Sequence, residues 1–215
     1  MQPLIIAHRG ASHYAPENTL AAFRLAKEMG ADGIEMDIQQ TRDKALVLHH
    51  DYFVDLHTQA KGAIYDMLEG ELRELDFGSW MGMDFSGERI PTLAEGIEAG
   101  KQFDVMLLEL KATIDNDPAY VERVAQVIAD SGAQDQIVVI SFQHGLLRQM
   151  KEVLPGVRVG ALTSGSLASY FAPPPSFWEK LGLTNGGGEL LEQLNGPQAA
   201  GVALDLVEHP EHLPD

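Results

Sequence analysis

Residues 3–51 read PLIIAHRGASHYAPENTLAAFRLAKEMGADGIEMDIQQTRDKALVLHHD, and this stretch decides the fold. It holds three short apolar runs of strand length, Leu4–Ala7, Gly33–Ile38 and Ala45–Leu48. Between the first two, residues 18–29 place Leu20, Phe23 and Ala26 at three-to-four spacing, the pattern of a helix with one buried face. Asn18 or Thr19 can cap its start and Gly30 is placed to end it. The short turn Thr41-Arg42-Asp43-Lys44 links the second run to the third. Each run ends in or carries residues that can do chemistry: His8-Arg9-Gly10, Glu35 with Asp37, and His49-His50-Asp51. Reactive side chains at the tips of successive strands are how a parallel α/β barrel assembles a site at its C-terminal face.

Glu35 and Asp37 are two apart on a strand, so both point to one face. Two carboxylates held together repel unless a cation or a proton lies between them. Both sit inside the apolar run Gly-Ile-Glu-Met-Asp-Ile, where unpaired charge would be costly, so a divalent cation is favoured over a pair of solvated charges. Glu109 repeats the theme in Val-Met-Leu-Leu-Glu-Leu-Lys, with Lys111 on the same face. Three carboxylates without cysteine suit a hard, oxygen-liking ion, Mg²⁺ or Ca²⁺. Lys111 can pair with a neighbouring carboxylate. Arg9 offers a planar fork that matches two phosphate oxygens, or a partner for Glu17 or Asp51. Glu17 can bind metal or substrate, or order the first loop, and Asn18 suits a structural role. His8 and His50 end separate strands, and imidazole titrates close enough to neutrality to take or give a proton. His49 is expected to point away, Gly10 to permit a close turn, and His13, His57, His144, His209 and His212 to lie on the surface.

Residues 52–89 break the alternation with turns, one acidic helix near Met67–Leu75 and a Gly- and Met-rich loop. This span reads as an insertion. Thr92-Leu93-Ala94-Glu95 is a capping box that opens the next helix. Strands at Phe103–Leu110, Gln136–Phe142 and Val157–Thr163 then alternate with helices at Pro118–Asp130 and Gly145–Val153. Residues 164–201 hold Pro173-Pro174-Pro175, Gly186-Gly187-Gly188 and the aromatics Tyr170, Phe171, Phe177 and Trp178. A helix at Glu189–Leu194 and a last strand at Val202–Leu206 close the chain. That makes seven strands, expected parallel, where a closed barrel has eight. The fold expected is one α/β domain over residues 1–215, a TIM (β/α)8-type barrel. It carries a small insertion at 52–89 after the third strand, and its C-terminal strand is missing or atypical.

A net charge of −17 over 215 residues opposes nucleic acid or an anionic membrane as a general partner. An anionic small molecule can still bind where basic residues or a metal reverse the local sign. The absence of cysteine excludes disulfides and thiolate metal sites. No apolar run reaches transmembrane length and the N-terminus lacks a signal-peptide profile, so the expectation is a cytoplasmic protein without stable membrane insertion.

His8-Arg9-Gly10, Pro16-Glu17-Asn18-Thr19, Glu35-Met36-Asp37 and His50-Asp51, in that order, resemble the glycerophosphodiester phosphodiesterases. Ile90-Pro91-Thr92-Leu93 resembles the end of the family's inserted subdomain, and Ser141-Phe142 its Ser-Phe at a strand end. Leu56-His57-Thr58 departs from the Arg-Thr-Thr often found where the insertion starts, which bears on contacts to the headgroup. The family's closing helix and Trp-Thr strand have no match. The resemblance implies metal-dependent hydrolysis of glycerophosphodiesters, such as glycerophosphocholine, to an alcohol and sn-glycerol 3-phosphate. It implies Glu35, Asp37 and Glu109 as ligands of one divalent cation and His8 with His50 as the proton-transfer pair. Arg9, Lys111 and Glu17 are then the residues expected at the phosphate. Two other readings use the same residues: a lysophospholipase D-type activity on lipid diesters, towards which the Tyr170–Trp178 aromatics lean, and a non-catalytic remnant that binds phosphodiester or metal.

Overall fold

The computed structural model describes residues 3–112, 117–162 and the backbone of 205–206. Its centre is a sheet with the order β1-β2-β4-β5-β6-β7, formed by β1 (Ile6–Ala7), β2 (Gly33–Gln40), β4 (Val105–Leu110), β5 (Ile137–Ser141), β6 (Arg158–Ala161) and β7 (Asp205–Leu206), with β3 (Leu46–Leu48) pairing off this path with β2. The pairs β1–β2, β2–β4, β4–β5 and β5–β6 are parallel. Parallel neighbours need a crossover, and helices supply most of them: α1 (Leu20–Glu28), α3 (Leu93–Gly100), α4 (Tyr120–Ser131) and α5 (His144–Val153). This is the α/β, TIM-type architecture expected. The polyproline and aromatic segment, the helix at 189–194 and most of the last strand lie outside the described residues.

All eight residues of β2 are buried, as in a sheet covered on both faces. Phe23 and Ala26 of α1, Leu93 and Ile97 of α3, and Val121, Val124 and Ile128 of α4 share one core with Ile34, Met36 and Ile38 of β2. The hydroxyl of buried Tyr120 donates to the Ile38 carbonyl at 3.0 Å, tying α4 to the sheet. The caps follow local chemistry. Thr19, rather than Asn18, caps α1 by accepting from Ala22 N, and Thr92 with Glu95 forms the expected capping box on α3.

The third strand departs from expectation. β3 runs antiparallel to β2, with Ile38 opposite Leu48 and Gln40 opposite Leu46. The five-residue link from Thr41 to Ala45 explains it, because a link this short closes a hairpin and cannot cross a sheet to a parallel position. Lys44 takes a left-handed φ of 69° in that turn. β2 therefore projects past the level of Asp37, and β3 returns the chain, so that His49 N donates to Asp37 O at 3.0 Å.

Between β3 and α3 the chain forms α2 (Glu69–Glu74) and two single turns of 3₁₀ helix. Val54, Ile64, Leu72, Phe77 and Ile90 bury one another there, together with Val47 of β3. The whole chain divides into two compact units, residues 1–161 with 206–215, and residues 162–205. The site lies in the first.

Candidate active site

Glu35 and Asp37 of β2 and Glu109 of β4 converge, because Asp37 stands opposite Glu109 in the parallel register. One oxygen from each lies within 4.8 Å of the others, and their exposures are 5%, 0% and 7%. Lys111 answers part of this charge, its Nζ lying 2.9 Å from Asp37 Oδ1 and 2.8 Å from Glu109 Oε1. The ion pair foreseen for Lys111 is thus present. Asn18 grips Asp37 twice, donating from Nδ2 to Oδ2 at 2.8 Å and accepting from the Asp37 amide at 3.1 Å.

Glu35 is less well compensated. Its Oε2 accepts from Arg9 N at 3.0 Å and lies 3.8 Å from His8 Nε2, while its buried Oε1 has no hydrogen-bond partner. Burial, then the Asp37 charge, push the Glu35 carboxyl well above its ordinary pKa. Burial pushes Asp37 up too, but Lys111 and Asn18 outweigh it and hold Asp37 low. Burial also raises Glu109, against the opposing pull of Lys111. A buried carboxylate with an unpartnered oxygen beside two other carboxylates fits a missing positive charge. The donor set, all oxygen, fits a divalent cation of the Mg²⁺ or Ca²⁺ kind.

The loop after β1 aims the next groups. Arg9 has φ 56° and Gly10 φ 78°, a left-handed pair that turns the Arg9 amide inward to Glu35. Gly10 is required there on two counts. Its φ disfavours a side chain, and a Cβ would lie 2.7 Å from Ala22 Cβ of α1. The Arg9 guanidinium donates from one nitrogen to both Glu17 oxygens at 3.1 Å, and its Nε lies 3.5 Å from Asp37 Oδ2. Glu17 therefore orients Arg9 across the acidic cluster. The His8 side chain is 64% exposed at the edge of the same cluster. Burial of its inner part, then the Arg9 charge, lower its pKa, which favours neutral imidazole.

His50 arrives on the return of the hairpin. Its Nδ1 lies 2.8 Å from Asp51 Oδ1, a pairing that fixes the ring and leaves Nε2 available. His50 is close enough for its charge to act on both His8 and Asp37. His49 is buried on the other side, as expected, with Nδ1 2.7 Å from Asp51 O and Nε2 3.1 Å from His57 Nδ1. His57 is half-buried rather than fully exposed, and it packs on Trp80 with ring centroids 4.6 Å apart. Ser141 is a latch within the sheet, donating from its hydroxyl to Leu110 O at 2.8 Å.

Two contacts were not foreseen from sequence. Asn18 is a partner of Asp37 rather than a helix cap. Gln39, buried two residues beyond Asp37, donates to the carbonyls of His49, His50 and Asp51. The alternation Glu35, Asp37, Gln39 on one strand face was the available signal for it. A cavity of about 220 Å³ opens beside Lys111, with Gln39, Tyr52, Tyr65 and Asp66 among its lining residues.

Comparison with known proteins accords with this geometry. The model of the glycerophosphoryl diester phosphodiesterase family matches residues 8–178. A glycerophosphodiester phosphodiesterase from Caldanaerobacter subterraneus subsp. tengcongensis is 41% identical over 163 residues, covering 75% of this chain and 67% of the relative. One from Bacillus altitudinis is 35% identical over 161 residues, covering 74% of this chain and 66% of the relative. The chain thus spans about two thirds of the length of the curated relatives it matches. Among solved structures, an Oleispira antarctica phosphodiesterase in complex with its product sn-glycerol-3-phosphate superposes with a TM-score of 0.74 and 33% identity, covering 88% of this chain and 72% of that one. A glycerophosphodiester phosphodiesterase from Agrobacterium tumefaciens gives a TM-score of 0.66 and 34% identity, covering 74% of this chain and 66% of that one. With a family match over most of its length and the family's residue pattern gathered around one acidic cluster, the chain belongs to the glycerophosphoryl diester phosphodiesterase family.

Proposed function

We propose that this protein hydrolyses glycerophosphodiesters, such as glycerophosphocholine, to an alcohol and sn-glycerol 3-phosphate, with the help of one divalent cation, Mg²⁺ or Ca²⁺. The observation that carries this reading is the buried Glu35–Asp37–Glu109 cluster flanked by His8, Arg9 and His50. Glu35, Asp37 and Glu109 would hold the cation, which supplies Lewis-acid charge to offset the charge that builds on the phosphoryl group. Arg9, held by Glu17, presents its remaining donors to phosphate oxygens, and Lys111 adds a second positive charge at the same place.

His8 and His50 divide the proton transfers. One takes the proton of the attacking oxygen and the other returns a proton to the leaving alkoxide, so that the alcohol departs neutral. The attacking oxygen belongs to water or to the glycerol hydroxyl beside the phosphate, and trapping a cyclic phosphate distinguishes the second route. Residues 52–89 are read as an inserted subdomain on a single barrel domain. The exclusion of nucleic acid as a partner rests on the charge of −17. Among the described residues, no helix is long and apolar enough to cross a membrane.

The test is release of sn-glycerol 3-phosphate from glycerophosphocholine by the wild type, His8→Ala and His50→Ala. Each substitution is expected to lower turnover by about 10²- to 10⁴-fold, the range for loss of a proton-transfer group. Near-normal turnover by either variant would refute the two-histidine scheme. Product from lysophosphatidylcholine, but not from glycerophosphocholine, would redirect the assignment to lipid diesters.

A further inference from the structure

Gln39 occupies the position of β2 after Glu35 and Asp37 on the same face, and it is buried. Its Nε2 lies 2.8 Å from His49 O, 3.1 Å from His50 O and 2.6 Å from Asp51 O. Three consecutive peptide carbonyls therefore converge on one amide NH₂ group. That convergence curls residues 49–51 around the Gln39 side chain. With the carbonyls drawn inward, the chain buries the His49 ring and leaves the His50 side chain 35% exposed. The curl has other supports at its first residue, the His49 N to Asp37 O bond and the His49 ring against Asp51 O. Among the described residues, the His50 carbonyl itself is held by Gln39.

We propose that Gln39 is a positioning residue for His50, setting the height and direction of its ring over the acidic cluster by gathering the carbonyls of residues 49–51. Gln39 does not touch the reacting groups. It acts through the backbone that carries His50, and the inference rests on the reading that His50 transfers a proton. Without the amide, three carbonyls lose a donor, that of His49 in a buried position, and the turn relaxes to find others. A displacement of about 1 Å at a reacting group is enough to cost on the order of 10²-fold in rate.

A double-mutant cycle with glycerophosphocholine as substrate tests this, using Gln39→Met, which keeps length and volume without donors, and His50→Ala. With His50 present, Gln39→Met is expected to lower kcat at least tenfold and to move KM less than threefold. In the His50→Ala background the same change is expected to alter the residual rate less than twofold. An equal loss in both backgrounds, or no loss with His50 present, would overturn the proposal. Full activity of His50→Ala alone would remove the proton-transfer reading and the proposal with it, a result distinct from either of those. Gln39→Asn is the second variant. It withdraws the amide by one carbon and leaves a smaller defect should Gln39→Met fail to fold, and the same split between kcat and KM, dependent on His50, is expected.

Discussion

Asp37 is fully buried, and three groups meet it there: Asn18 at two atoms, Lys111 and the Arg9 guanidinium. Asn18 sets which oxygen faces the cluster, since its Nδ2 occupies Oδ2 and leaves Oδ1 towards Lys111 and Glu109. Groups that orient a ligating carboxylate typically change metal affinity by about 10- to 100-fold when removed. Asn18→Leu is therefore expected to weaken Mg²⁺ or Ca²⁺ binding by about that factor, measured by calorimetric titration, and unchanged affinity would show that Asn18 serves the loop alone. At this scale the acidic residues were legible because strand alternation alone places Glu35 with Asp37 and Glu109 with Lys111. Asn18 was not, because its partner lies 19 residues away and a helix start offered a local use for it. Glu17 was legible as one of two candidate partners of Arg9, with Asp51 the other, and the fold decides for Glu17, whose two oxygens meet one guanidinium nitrogen.

The β2–β3 hairpin matters most among the elements, because it delivers His50. Helices and parallel strands were readable from periodicity, and α1, α3, α4 and α5 fall close to where spacing placed them. The direction of β3 was misjudged because an apolar run of three or four residues carries no signal of orientation. The length of the link before it does, and five residues admit only a hairpin. β3 is short and depends on the helix behind it: Gly96 of α3 approaches so closely that a Cβ there would meet Leu48 Cδ1 at 2.3 Å. α3 in turn begins at the Thr92 cap, whose hydroxyl accepts from Glu95 N at 3.2 Å. Thr92→Ala is expected to destabilise the protein by about 1 kcal/mol, read as a lower urea midpoint with unchanged slope. No shift would mean that the backbone bond from residue 92 to Glu95 and the Arg73–Glu95 ion pair hold the helix start without the hydroxyl.

For the molecule as a whole, stability and acidity are linked through His49. Burial lowers its pKa from 6.5 to about 4, against the pull of the Asp51 carbonyl. The unfolded chain takes up this proton first as pH falls, so the contribution is full above pH 6.5 and is lost progressively towards pH 4. At pH 5 the loss amounts to about 2 kcal/mol relative to neutral pH. Denaturant unfolding of the wild type at pH 7 and pH 5 should show it, and His49→Gln should lose less over the same interval. An identical loss in the variant would assign the pH dependence to other groups. The fold class was legible at this scale because reactive residues recur at strand ends.

The measurement that bears most directly on the central claim is sn-glycerol 3-phosphate release from glycerophosphocholine. It is run in EDTA, then with Mg²⁺ or Ca²⁺ restored, for the wild type and for Glu35→Gln. The buried cluster predicts no release in EDTA, recovery by the wild type with one of the two ions, and little recovery by Glu35→Gln. Full turnover in EDTA, or equal recovery by the variant, would contradict the assignment of the Glu35–Asp37–Glu109 cluster as the cation site on which the activity depends.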